Sequence, residues 1–133
     1  MGNTLEKTPL KIAIVAGERS GDDLGAPLMK SLKLINPSIE FIGVGGPKMT
    51  AEGLKSYFDM SEISVMGIIE PLLNLRKLLK LRKGLKKYLL QQNPDIFIGI
   101  DSPDFNLPVA NFLKKNMLIG LTVNLLYLWQ MEH

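Results

Sequence analysis

Three short, mostly apolar runs punctuate the chain: KIAIVA at Lys11–Ala16, IEFIGV at 39–44 and DIFIGI at 95–100. Each is rich in isoleucine, valine or phenylalanine, and each runs into a loop of Gly, Gly-Gly-Pro or Asp-Ser-Pro. Runs this short, without polar alternation, predict strands buried on both faces of a parallel sheet. The segments between them have a helical period. "DLGAPLMKSLKLI" repeats apolar residues at Leu24, Leu28, Leu32 and Ile35. That spacing predicts a helix with Asp22 or Asp23 as its N-cap and Pro27 in its first turn, ended by Asn36-Pro37. "KMTAEGL" predicts a short helix, and residues 56–66 leave a short strand and a loop open. Pro71–Gln92 predicts a long helix opened by a proline and stopped by Asn93-Pro94, and residues 107–115 predict another.

Strands alternating with helices define an α/β fold, here an open parallel Rossmann-like sheet with flanking helices. Ligands of such sheets bind beyond the carboxyl ends of the strands. The exit loops are therefore the candidate site: Gly17-Glu18-Arg19-Ser20-Gly21-Asp22, Gly45-Gly46-Pro47 and Asp101-Ser102-Pro103-Asp104. The first is neither a dinucleotide fingerprint nor a P-loop. It reads either as a plain turn with an aspartate cap or as a loop offering backbone N–H groups, Glu18 and Ser20 to a polar ligand. Asp101 reads either as a turn aspartate or as a general base at a cleft edge, where partial drying raises a carboxylate pKa toward working pH. Asp104 reads as the cap of the next helix. The Asp-x-x-Asp spacing is not that of a metal–nucleotide site, so no metal and no cofactor is expected.

The 133 residues amount to one domain, and the formal charge is +3 with no cysteine. Thiol chemistry and Cys-type zinc sites are thereby excluded, and with His133 as the lone histidine a Ser-His-Asp triad is disfavoured. The first ten residues read as a polar extension without a signal peptide, and no apolar run reaches membrane-span length. Charge is concentrated in the long helix, which has no acid between Pro71 and Pro94. On a helical wheel Leu75, Leu78, Leu81, Leu85, Tyr88 and Leu89 share one broad face. Arg76, Lys80, Lys83 and Lys87 lie opposite, with Arg82 and Lys86 at the margin. This is either a core-packed helix with a solvated back or a surface for anionic lipid headgroups, to which Ile69 and Leu72 would add apolar contact. The stripe lacks the interleaved aromatics of a nucleic-acid binder.

Together, "IAIVAGERSGD", "FIGVGGPKMTAEGL", "SVMGIIEPL" and "PDIFIGIDSPDFN" resemble the N-terminal domain of lipid-A-disaccharide synthase, in that family's order, over residues 11–115. The resemblance implies the N-terminal, acceptor-side half of a GT-B glycosyltransferase. Such an enzyme transfers the sugar of UDP-2,3-diacylglucosamine to 2,3-diacylglucosamine 1-phosphate (lipid X) with inversion, releasing UDP. It implies Asp101 as the base and Gly17, Glu18, Ser20, Gly21, Asp22, Gly45 and Gly46 as cleft residues. It also implies a peripheral, cytoplasmic-face membrane surface formed by Ile69, Leu72, Leu75, Leu78, Arg76, Lys80 and Lys83. The family is more than twice as long, and its C-terminal domain supplies most UDP contacts. Residues 116–133, "NMLIGLTVNLLYLWQMEH", depart from its pattern and read as a truncated or frameshifted tail, although Leu118 to Val123 keep strand character. The isolated chain is therefore expected to lack transferase activity. The competing expectations are a non-catalytic membrane module that binds acylated sugar phosphates and a receiver-like signalling domain. Against the receiver, Asp22-Asp23 fall too far past the strand end.

Overall fold

The computed structural model describes residues 9–68, 71–117 and 121–124. In chain order these form β1 (Lys11–Ala16), α1 (Arg19–Ile35), β2 (Glu40–Val44), α2 (Pro47–Ala51), β3 (Lys55–Ser56), α3 (Ser61–Ile68), α4 (Pro71–Gln92), β4 (Ile96–Ile100), α5 (Pro103–Asn116) and β5 (Leu121–Asn124). The strands make one parallel sheet in the order β3-β2-β1-β4-β5. The chain winds outward from β1 through β2 to β3, then returns past β1 to lay down β4 and β5. Right-handed crossovers put α1 and α2 on one face and α4 and α5 on the other, which agrees with the α1–α2 and α4–α5 packing. Ile12, Ile14, Val15, Phe97 and Ile100 form the middle of the core. Met29 and Met49 join it from α1 and α2, and Leu85, Leu89, Val109 and Leu113 from α4 and α5.

The expected strands and long helix are present, and residues 55–68 resolve into β3 and α3. Two helix starts are corrected. α1 begins at Arg19, so Asp22 lies inside it, Glu18 holds the N-cap position and Pro27 is interior. Its buried face is Gly21, Asp22, Gly25, Ala26 and Met29, while Leu24 and Ile35 of the expected apolar stripe are exposed. Gly21 approaches Ala16 and Ile100 of the sheet and Gly25 approaches Met49 of α2, contacts too close for a leucine at either position. α5 begins at Pro103, with Ser102 at its N-cap position, so Asp104 belongs to the first turn and does not cap it.

The expected apolar face of α4 is corrected too. Leu85 and Leu89 are fully buried, Leu78 and Tyr88 partly so, but Leu75 is 47% exposed. A helix of 22 residues is about 33 Å long, whereas a strand of 5 residues spans about 17 Å. The carboxyl-terminal half of α4 covers the sheet. Its first half overhangs the carboxyl edge, where Leu75 and Leu78 form a wall. Among the described residues, no helix is long and apolar enough to cross a membrane.

Candidate active-site cleft

The topological switch point lies between β1 and β4, where the winding direction reverses. Ala16 and Ile100, the last residues of the two strands, are register partners. Whatever follows them must therefore meet, and Gly17 and Asp101 open the two loops at the position where open α/β sheets bind ligands.

A cleft of about 1010 Å³ opens there. Gly17, Glu18, Arg19 and Ser20 form its floor, with Ser102, Pro103, Asp104 and Phe105 beside them. Ile63 and Ser64 of α3 and Asn74, Leu75, Leu78 and Arg82 of α4 close the other side. The overhanging helices thus bring Ile63, Leu75 and Leu78 to the cleft together with the polar Ser64, Asn74 and Arg82. Gly17 is closely approached: a Cβ there would displace the Ser102 hydroxyl and press on Ile63.

Ser20 Oγ lies 3.0 Å from Asp101 Oδ2 and 3.2 Å from Glu18 Oε1. A hydroxyl has one proton to donate, so two carboxylates at the sheet edge compete for it. Asp101 is half-buried. Asp101 and Ser102 both adopt left-handed backbone, with φ of 53° and 44°, a costly conformation for residues with a Cβ.

Asn106 holds that turn. It is 1% exposed, and its Nδ2 donates toward three carbonyls: Asp101 at 2.9 Å, Val15 at 3.3 Å and Ile100 at 3.4 Å. One side chain thereby ties the ends of β1 and β4 to the first turn of α5. Sequence reasoning passed over Asn106. The signal available was an amide near the start of a helix that follows a strand-end aspartate.

The remaining predicted residues lie elsewhere. Asp22 is 2% exposed and accepts backbone N–H bonds from Gly46 (3.0 Å), Lys48 (3.0 Å) and Met49 (2.9 Å). It therefore caps α2, the helix across the loop, where a carboxylate also complements the helix dipole. Gly46 admits it, since a Cβ there would sit 2.7 Å from the Asp22 carboxylate. Gly45 donates its N–H to Ser56 Oγ at 3.2 Å. Gly21, Asp22, Gly45 and Gly46 do not line the large cleft, and neither does Asp101, which borders it through its contact with Ser20. On the outside, Lys48 pairs with Asp23 at 2.6 Å; the hydrogen bond and charge of Asp23 raise the Lys48 pKa.

Of the membrane-facing set, Leu75 and Leu78 line the cleft, and Arg76, Lys80 and Lys83 are exposed. Ile69, the Leu72 side chain, residues 1–8 and residues 125–133 lie outside the described residues. No group of three or more metal-ligating side chains occurs among the described residues.

Fold and cleft together define a Rossmann-like α/β domain with a strand-end carboxylate site at the switch point. The family model described as lipid-A-disaccharide synthetase matches residues 12–126, and the chain belongs to that family. It is 62% identical over 106 residues to a lipid-A-disaccharide synthase from Pseudomonas fluorescens (strain Pf0-1), covering 80% of this chain and 28% of that protein. It is 55% identical over 108 residues to one from Aliivibrio fischeri (strain MJ11), covering 81% and 28%. A third, from Azotobacter vinelandii, is 56% identical over 106 residues, covering 80% and 28%. The chain thus spans 28% of the length of these relatives.

Proposed function

We propose that this chain is the acceptor-side domain of a GT-B glycosyltransferase of lipid A biosynthesis. The reaction joins UDP-2,3-diacylglucosamine to 2,3-diacylglucosamine 1-phosphate, forming a β-1,6 disaccharide and UDP. The observation that carries this reading is the Ser20–Asp101 contact at the switch point, in a chain of this family. In inverting transfer, Asp101 accepts the proton of the acceptor 6-hydroxyl as its oxygen attacks the anomeric carbon and UDP leaves. Ser20 yields its place on Asp101 to that hydroxyl and keeps its bond to Glu18. The apolar wall of Ile63, Leu75 and Leu78 takes acyl chain. Exposed Val65 and Leu79 extend the apolar surface, and Arg76, Lys80 and Lys83 meet anionic headgroups on the cytoplasmic face of the membrane.

A chimera tests this. Residues 11–115 of this chain replace the matched segment of the Pseudomonas fluorescens relative, and disaccharide and UDP are measured together. The expected result is turnover that falls about 10²- to 10⁴-fold on Asp101→Ala, the usual share of a general base. A folded chimera without turnover, or one indifferent to Asp101, overturns the reading. The 133-residue chain alone is expected to be inactive, because the other half of the cleft belongs to a second domain.

The exposed basic stripe favours a second reading, a membrane module without catalysis. Flotation with phosphatidylglycerol vesicles, weakened by a combined Arg76→Ala, Lys80→Ala and Lys83→Ala variant, together with an inactive chimera, supports that reading instead.

A further inference from the structure

Leu75, Leu78, Arg82, Leu85 and Leu89 fall at alternating steps of three and four residues along α4. That spacing is the inward stripe of a packed helix. Leu85 and Leu89 follow it into the core, and Leu75 and Leu78 follow it along the cleft wall. Arg82 breaks the stripe, for it is a half-buried cation where the pattern asks for a leucine. The other basic residues of α4 have ordinary explanations. Arg76, Lys77, Lys80, Lys83 and Lys87 are exposed, and the Lys86 ammonium lies 5.5 Å from the centre of the Phe112 ring.

The partner of Arg82 is also unusual. Its Nη1 donates to the Asp104 backbone carbonyl at 2.7 Å, which fixes the guanidinium against the first turn of α5. Ion pairs among the described residues join Lys33 to Glu52 and Lys48 to Asp23. Arg82 thus has no carboxylate partner among them, and it lines the cleft. A guanidinium carries five N–H donors in a planar fork suited to phosphate. One is bonded to the carbonyl and orients the rest. The guanidinium is only half-buried, so its remaining N–H donors can meet an anionic ligand that enters the cleft.

We propose that Arg82 is the phosphate-binding residue of the cleft. It holds the phosphate monoester of an acylated sugar while Leu75, Leu78 and Ile63 hold acyl chain. This assignment rests on the acceptor-side reading above and gives it a specificity determinant. The acceptor is chosen for its phosphate, and the bond to Asp104 sets how far that phosphate stands from the β4 exit loop.

The test is binding of the 133-residue chain to 2,3-diacylglucosamine 1-phosphate in nonionic mixed micelles, compared with the same lipid lacking the phosphate and with UDP alone. Thermal melts of each variant accompany the titrations. The wild-type chain is expected to prefer the phosphorylated lipid by about 10- to 100-fold, the scale of charge-assisted hydrogen bonds. Arg82→Gln is expected to abolish that preference without weakening binding of the unphosphorylated lipid. Arg82→Lys, which keeps the charge but loses the fork, is expected to retain part of it, and Lys87→Ala all of it. If folded Arg82→Gln keeps the full preference, the assignment is wrong while the cleft still binds the lipid. If UDP binding depends on Arg82 instead, the residue serves the nucleotide and the assignment is overturned. A wild-type chain that binds neither lipid overturns the acceptor-side reading and this assignment with it.

Discussion

Ser20 and Asp101 stand 81 residues apart in sequence and meet at 3.0 Å, because Ala16 and Ile100 are paired at the ends of adjacent parallel strands. Strand register therefore builds the candidate base and its partner. In the chimera, Asp101→Asn keeps the shape and a hydrogen-bonding oxygen but cannot take a proton. Its activity is expected to fall about 10²- to 10⁴-fold. Ser20→Ala removes one hydrogen bond and is expected to cost no more than about tenfold. Equal losses in both variants would contradict separate roles for a base and a partner.

Asp22 predicts a different outcome, in stability. Its buried carboxylate takes three backbone N–H groups at the start of α2. Asp22→Ala leaves all three without an acceptor and is expected to destabilise the chain by about 3 kcal/mol. Gly46→Ala, which drives a methyl group into that carboxylate, is expected to move the urea midpoint in the same direction. An Asp22→Ala midpoint within error of the wild type would show that the cap contributes nothing.

The fate of Asp22 illustrates what could be read from the sequence. Strands were legible because buried parallel strands are short and mostly apolar, as in Lys11–Ala16. The full span of α4 was legible because prolines bracket it. Helix starts were not. Ser, Asp and Gly after a strand suit a loop or the first turn of a helix equally, so α1 began earlier than the Asp22 signal suggested. The side-chain target was harder still, since Asp22 caps a helix that starts 25 residues later in sequence, at Pro47. At the cleft, Gly17, Glu18 and Ser20 could be placed from the loop alone. Asn106 could not, because its partners Val15 and Ile100 lie on two strands and meet only in the folded sheet.

Asp59 gives a pH signature. Its Oδ1 accepts the Ser61 N–H at 2.9 Å at the start of α3. That backbone hydrogen bond, then the Ser61 hydroxyl, lowers the Asp59 pKa below its ordinary 3.8. A depressed carboxylate contributes stability that is present above the unfolded pKa and lost as pH falls through the folded one. The stability gap between wild type and Asp59→Ala is therefore expected to hold from about pH 7 to about pH 5 and close toward about pH 3. Urea midpoints of the two proteins across that range decide it; a gap that widens on acidification has the wrong sign.

Asn106 supports a sharper contrast, because one replacement removes its hydrogen bonds and the other adds a charge. The native amide donates toward the carbonyls of Val15, Ile100 and Asp101 and steadies two consecutive left-handed residues. Asn106→Ala loses those bonds and opens a small void, so a loss of about 2 to 3 kcal/mol is expected. Asn106→Asp fits the same space but at neutral pH turns a buried negative charge toward three carbonyl oxygens. It is expected to be the less stable of the two. Burial and those carbonyls raise the pKa of the introduced carboxyl in the folded state, because only its protonated form donates a hydrogen bond. Folding then favours uptake of a proton, so stability of Asn106→Asp should recover as pH falls from about 7 to about 5, while Asn106→Ala stays level over that range. Urea midpoints at both pH values test this directly. If Asn106→Asp matches the wild type at neutral pH, the amide is not the donor that holds the turn.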